Sequence, residues 1–346
     1  MADISFQPSD NFNTKLYTGD NTASQPQTGV GFQPDFVWIK AYESGSDWQA
    51  WNDSVRGTTK ALYSNNSDAE ATSADYLTAY GADGFTVGNN GSFGGSQNYA
   101  AWCLRAGTTT GLSGGTITPT GYSFNATAGF SIIRYTGTGA TATVPHGLGA
   151  KPTCIIVKQE NGTNNWAVYS ESLGNNKQFL FNDTSTPSTN SNIWAATDPT
   201  STVFSVGNDG ATGGSGSEYV AYCFANTKGC IKNGTYTGNG QSDRSGTFCY
   251  TGFAPGMVLL SRTSAGGNKN LYDNKRNPYN LRNDRLCANL TNAQAEDNTQ
   301  AMEFHATGFK LRSTNTDQND AGSTYWYLAF AEFPVVSSNS KSGTAR

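Results

Sequence analysis

Gly29-Val30-Gly31-Phe32-Gln33-Pro34-Asp35-Phe36-Val37-Trp38-Ile39-Lys40 is the stretch that decides the fold. Its Gly-x-Gly approach supplies a turn. Pro34 then stands where a strand begins, and its missing N–H removes no ladder bond there. Phe36-Val37-Trp38-Ile39 runs on without polar alternation, the pattern of a central strand buried on both faces. The layout returns 118 positions later as Gly147-Leu148-Gly149-Ala150-Lys151-Pro152-Thr153-Cys154-Ile155-Ile156-Val157-Lys158, with Pro152 in the place of Pro34. A looser third copy is Gly252-Phe253-Ala254-Pro255-Gly256-Met257-Val258-Leu259-Leu260-Ser261-Arg262.

Other landmarks recur around these stretches in one fixed order. Tyr17-Thr18-Gly19, Tyr135-Thr136-Gly137 and Tyr236-Thr237-Gly238 come before them. Trp51-Asn52-Asp53, Tyr169-Ser170-Glu171 and Leu271-Tyr272-Asp273 come after. Gly84-Phe85-Thr86-Val87-Gly88 then matches Val203-Phe204-Ser205-Val206-Gly207 and Gly308-Phe309-Lys310-Leu311-Arg312. Each copy closes on an aromatic strand, read as Tyr99 to Cys103, Tyr219 to Cys223 and Tyr327 to Ala331. Ordered recurrence of this kind marks a triplicated unit. The glycines of the matching triplets, Gly19/Gly137/Gly238 and Gly29/Gly147/Gly252, read as turn positions. The chain therefore divides into an N-terminal arm (1–11), a first repeat with a Thr/Gly-rich connector (12–129), a second repeat (130–231), a divergent third repeat (232–336) and a polar tail (337–346). The connector is expected to carry an extra strand around Gly121-Tyr122-Ser123-Phe124. The fold class is all-β: three tandem β-sandwich-like repeats with long Gly/Ser/Asn-rich loops.

Composition agrees. Glycine supplies 40 of 346 residues and charged residues only 14%, against averages of about 7% and about 25%. Helical bundles need more Ala, Leu, Glu and Lys, and disordered chains lack this share of aromatic residues, 12%. With 22 basic and 26 acidic residues there is no basic stripe for nucleic acid. No apolar run approaches membrane-spanning length, and the first residues lack a signal-peptide layout. The reading is of a protein made in a cytoplasm, without membrane insertion.

Catalytic equipment is scarce. The two histidines, His146 and His305, occupy different places in their repeats, so both are expected to be structural or solvated. No nucleophile elbow, zinc or phosphate-loop spacing is present. Asp53, Glu171 and Asp273 recur at one landmark, but glycosidase chemistry needs paired carboxylates. They read as turn acceptors or local ion pairs, Asp53 with Arg56 and Asp273 with Arg276. The loops Asn89-Asn90-Gly91 and Asp209-Gly210 offer oxygens for calcium, yet lack spaced carboxylates and read as turns. The six cysteines read as buried thiols, a Cys223–Cys230 link being conceivable but unneeded. No catalytic residue, metal ligand or cofactor is assigned. Trp48 and Trp51 are the aromatic candidates for binding at a rim, stacking on a sugar ring. The competing reading for them is core or simple rim packing, with alternation sending one inward.

Tyr17-Thr18-Gly19, the stretch Gly29 to Lys40 and Asp53-Ser54-Val55-Arg56-Gly57 together resemble a repeat of virion structural proteins from marine and cyanobacterial tailed phages. The opening Ile4 to Leu16 resembles the start of such proteins. The resemblance covers residues 4–107 and 124–224; the third repeat departs most and reads as a cap. It implies a non-enzymatic virion component. The first reading is a tail fibre or adhesin contacting the host envelope, with other virion proteins and a host surface glycan as partners, and homo-oligomers, trimers among them, as its state. The alternatives are a capsid decoration or head-fibre protein and, least favoured, a polysaccharide depolymerase.

Overall fold

A computed structural model describes residues 4–333, 335–337 and 342–343. Among them the protein is all-β, with one short 3-10 turn at Pro8–Asp10 and no closed barrel. The first unit's main sheet comprises β1 (Phe12–Thr18), β2 (Phe36–Ala41), β3 (Ala50–Asp53), β4 (Lys60–Tyr63) and β5 (Asn98–Leu104). The second has β6 (Phe130–Thr136), β7 (Cys154–Gln159), β8 (Ala167–Ser170), β9 (Lys177–Leu180) and β10 (Glu218–Phe224). The third has β11 (Ile231–Thr237), β12 (Ala254–Arg262), β13 (Asn270–Asp273), β14 (Asp284–Cys287) and β15 (Thr324–Phe333). Spatial order is the same each time: β1-β5-β2-β3-β4, β6-β10-β7-β8-β9 and β11-β15-β12-β13-β14. The closing strand lies between the opening strand and the strand that follows the proline.

Each main sheet is covered by a smaller antiparallel one. These are Gln25–Thr28 with Gly84–Val87 and Leu77–Gly81, then Ala142–Pro145 with Val203–Val206, then Phe248–Tyr250 with Gly308–Ser313 and Gln300–His305. Side-chain alternation shows why the main strands carry apolar residues on both faces. Val37, Ile39 and Ala41, with Tyr99, Ala101 and Cys103, pack inside the first sandwich. Phe36, Trp38, Ala100, Trp102 and Leu104 point the other way, into a core shared with Phe130, Ile156 and Tyr222 of the second unit and Met257, Leu259 and Phe330 of the third. The three units therefore close around a common apolar centre as a pseudo-threefold ring. A void there, lined by Phe36, Trp38, Trp102, Ile156, Met257 and Leu328 among others, is entirely apolar, the character of cavities that stay dry.

One tyrosine pair fixes each unit's register. Tyr17 stacks on Tyr99, Tyr135 on Tyr219 and Tyr236 on Tyr325, with ring centroids 5.0, 5.2 and 4.9 Å apart. All six hydroxyls donate to loop carbonyls, at Phe93, Thr212 and Gln318 and at Gly91, Gly210 and Thr316. This corrects the third closing strand. Tyr325, which pairs with Tyr236, is the counterpart of Tyr99 and Tyr219, so the reading from Tyr327 is two residues out of frame. The alternation of large and small residues fits both frames equally, and the stack selects one. Pro255 likewise lies inside β12 rather than ahead of it, at a register shift against β15 where a missing N–H is tolerated.

The connector does carry a strand, Gly121–Asn125, but it pairs with β6 and so belongs to the second unit's sheet, not to the first repeat. Residues Ile4–Phe6 of the N-terminal arm pair with Val335–Ser337, joining the chain ends beside the first and third units. The remainder of the polar tail, apart from Ser342–Gly343, lies outside the described residues.

Candidate functional site

Asp53 and Asp273 carry out one local task. Each ends the third strand of its unit, and its Oδ1 accepts two backbone N–H groups of the following turn, Val55 and Arg56 or Lys275 and Arg276. The other oxygen pairs with the arginine of that turn, Arg56 at 2.5 Å and Arg276 at 2.6 Å, and the pairs are buried. The expected local ion pairs are therefore present. Glu171 is not the second unit's counterpart: Ser170 faces Cys154 as Asp53 faces Phe36 and Asp273 faces Met257. Glu171, one residue on, is exposed and pairs with Lys151 at 3.0 Å. The recurring carboxylate was a one-residue slip, because Cys154 faces Ser170 across a connection one residue shorter than the one by which Phe36 faces Asp53.

These positions also tie the ring together. Asp53 accepts the Tyr222 hydroxyl at 2.8 Å, Ser170 Oγ reaches Asn233 at 3.4 Å, and Asp273 accepts the indole N–H of Trp102 at 3.3 Å. Unit one thus bonds unit two, two bonds three, and three bonds one. A second ring of bonds runs the opposite way from the residue preceding each third strand. Gln49 donates to the carbonyls of Cys287 and Leu290, Trp166 to those of Tyr63 and Asn66, and Lys269 to that of Asp183. Burial pushes the Lys269 ammonium down to about 8. Three unlike side chains do one job, because the job needs only an N–H aimed at the neighbouring unit.

The remaining candidates separate. Trp51 is 2% exposed and packs in the shared core against Trp38, Trp166 and Tyr222; it is not a rim aromatic. Trp48 is 37% exposed, with its ring against Tyr63 at 4.7 Å, and does stand on a rim. His146 is buried, its Nδ1 accepting the Leu148 N–H at 3.2 Å and its Nε2 facing the Thr200 carbonyl at 3.3 Å. Burial holds it down at about 4. His305 is half-exposed beside Glu303. Asn90 and Asp209 spend side-chain oxygens on the N–H groups of Ser92 and Ala211, as turn residues do. Among the described residues no group of three or more His, Cys, Asp or Glu is placed to hold a metal. All six cysteines are buried and free, Cys223 and Cys230 included; burial pushes these two thiols up to about 12.

What the sequence reading missed is the outer surface of the third unit. Among the described residues, the large apolar side chains that stand exposed are Phe248 (44%), Tyr250 (66%), Tyr279 (79%) and Leu281, which all belong to it, and Trp48, which does not. Phe248 and Tyr250 alternate outward from the edge strand of the small sheet, with Cys249 buried between them. Strand register identifies their counterparts as Pro26 and Thr28 in the first unit and Thr143 and Pro145 in the second. The fold builds this strand twice without an aromatic residue there. A register-true alignment of the three repeats was the signal that could have exposed this.

Residues 7–334 match the model of a family described as a domain of unknown function, DUF7483. No curated protein and no solved structure matches the chain. The matched span takes in all three units and both rings of inter-unit bonds, so the family's unit is the whole ring rather than one repeat. The chain belongs to the DUF7483 family.

Proposed function

We propose that the protein is a surface structural component of a tailed-phage virion, and within that class a tail fibre or adhesin that touches the host envelope. The observation that carries this reading is the contrast between frame and surface. Three interlocked units bury their apolar residues in shared and private cores, while exposed aromatic rings gather on one divergent unit. Exposed apolar surface on an otherwise polar exterior is the usual mark of a contact site. The frame holds position and the third unit meets a partner, with ring stacking and shape as part of the contact.

A second reading, capsid decoration or head fibre, is favoured by the pseudo-threefold ring itself. One chain supplies the symmetry that three copies would otherwise build. Sedimentation at the 36.7 kDa of a single chain favours this reading, and a trimer of chains favours the fibre. The discriminating experiment is immunogold labelling of intact virions of the encoding phage with antibody against the chain. Label at the tail is expected. Label over the head with none at the tail overturns the adhesin in favour of decoration, and particles without label overturn both.

A further inference from the structure

We propose that a groove between the third unit and the turn leading into it binds an anionic saccharide, its ring on Tyr250 and its acidic group between Lys228 and Lys232; this deepens the host-contact reading and takes its biological setting from it. The groove lies between the turn at 226–232 and the end of the Phe248–Tyr250 strand, with a volume of about 320 Å³. That is within the range of small-ligand sites, about 300–1,000 Å³.

Charge sets the class of ligand. Lys228 and Lys232 line the groove and no lining residue is acidic, although acidic residues outnumber basic ones in the chain. Six other lysines are committed: Lys40, Lys158 and Lys269 to backbone carbonyls, Lys60, Lys151 and Lys275 to carboxylates. Lys228 and Lys232 have neither ion pair nor side-chain hydrogen bond among the described residues. Two unmatched ammonium groups in one concavity favour an anion, and charge-assisted bonds to a carboxylate are the strong kind.

The walls are held in place before any ligand arrives. Thr227 and Ile231 exchange backbone bonds of 3.0 and 3.1 Å across the turn that carries Lys228. Asn226 braces it further, its Oδ1 accepting the Asn233 N–H at 2.6 Å and its Nδ2 donating to the Asn233 carbonyl at 3.2 Å. On the opposite wall the Tyr250 ring lies over Gly252, where an added Cβ would meet its hydroxyl at 3.6 Å. The ring is 66% exposed, and neither Thr28 nor Pro145, its counterparts, offers an aromatic one. A flat apolar face beside two cations suits a sugar ring bearing an acid. Backbone ordering, part of the cost of binding, is reduced on both walls.

The test is calorimetric titration of the full chain with hexagalacturonate and with oligosialate, and with maltohexaose as the neutral control. At least one acidic probe is expected to bind, and maltohexaose not. Tyr250→Thr, which installs the first unit's residue, and the Lys228→Ala/Lys232→Ala double variant should each weaken binding at least about tenfold. Raising salt from about 0.05 M to about 0.5 M should weaken it further by screening. Binding of neither acidic probe, equal binding of maltohexaose, or binding unchanged in both variants overturns the proposal. A chain that labels virions yet binds neither probe loses this site alone. One that binds a probe yet labels no virion loses the virion reading alone.

Discussion

His146 shows how a single residue can report on the interior. Its ring is buried between the Leu148 N–H and the Thr200 carbonyl, and burial holds its pKa down at about 4 instead of 6.5. The unfolded chain takes up a proton on this imidazole below about pH 6.5, while the folded protein refuses it until about pH 4. Stability should therefore fall as pH drops through that window and level off below it. The loss is about 3 kcal/mol, as 1.36 kcal/mol per pH unit implies. Denaturant titrations of the wild type and His146→Gln between pH 7 and pH 4 check this. The difference between the two proteins should change by about that amount, and parallel curves would show that the imidazole titrates alike in both states.

Among the elements, the repeated glycines separate into two kinds. Gly29, Gly147 and Gly252 have φ of +84°, +74° and +83°, a left-handed backbone that costs other residues about 1–2 kcal/mol. Gly19, Gly137 and Gly238 have no such angle. An added Cβ would instead strike a carbonyl oxygen of the facing loop, Gly95 at 1.9 Å, Gly214 at 2.3 Å and Asp320 at 2.3 Å. Substitution should separate the two causes. Gly29→Ala should cost about 1–2 kcal/mol and Gly29→Asn less, because Asn tolerates positive φ. Gly137→Ala should cost about 1–3 kcal/mol through overpacking, and Gly137→Asn more. Chemical-denaturation midpoints decide it, and a rescue of position 137 by Asn would contradict the assignment.

The strands were legible in the sequence because glycine and proline punctuate them and because a two-sided core demands runs such as Phe36 to Ile39. Two frames were not. In the third closing strand both alternations pack, and in the second unit Glu171 stood in for Ser170. The inter-unit donors Gln49, Trp166 and Lys269 were illegible for a deeper reason: they share a position and a direction, not a residue type. Trp48 and Trp51 illustrate the same limit. Both are indoles three residues apart, and only the third dimension sends Trp51 into the shared core and leaves Trp48 at the edge.

At the scale of the molecule, three sandwiches read from the sequence as tandem units prove to be arcs of one ring. Each main sheet turns one face to its own small sheet and the other to the common centre, where Phe36, Trp38, Trp51 and Trp102 meet Trp166, Tyr222, Met257 and Phe330. Repetition in a sequence announces the number of units but not whether they stand in line or close. An isolated unit would expose its indole-rich face to water, and burying such side chains stabilises by about 1.5–3 kcal/mol each. The proposal of a binding surface on the third unit, with the rest as its frame, requires the three to behave as one body. Scanning calorimetry of the full chain tests that claim most directly. The account predicts a single endotherm whose van't Hoff and calorimetric enthalpies agree, the sign of an all-or-none transition; two or three separable transitions, each with the enthalpy of one unit, would contradict it.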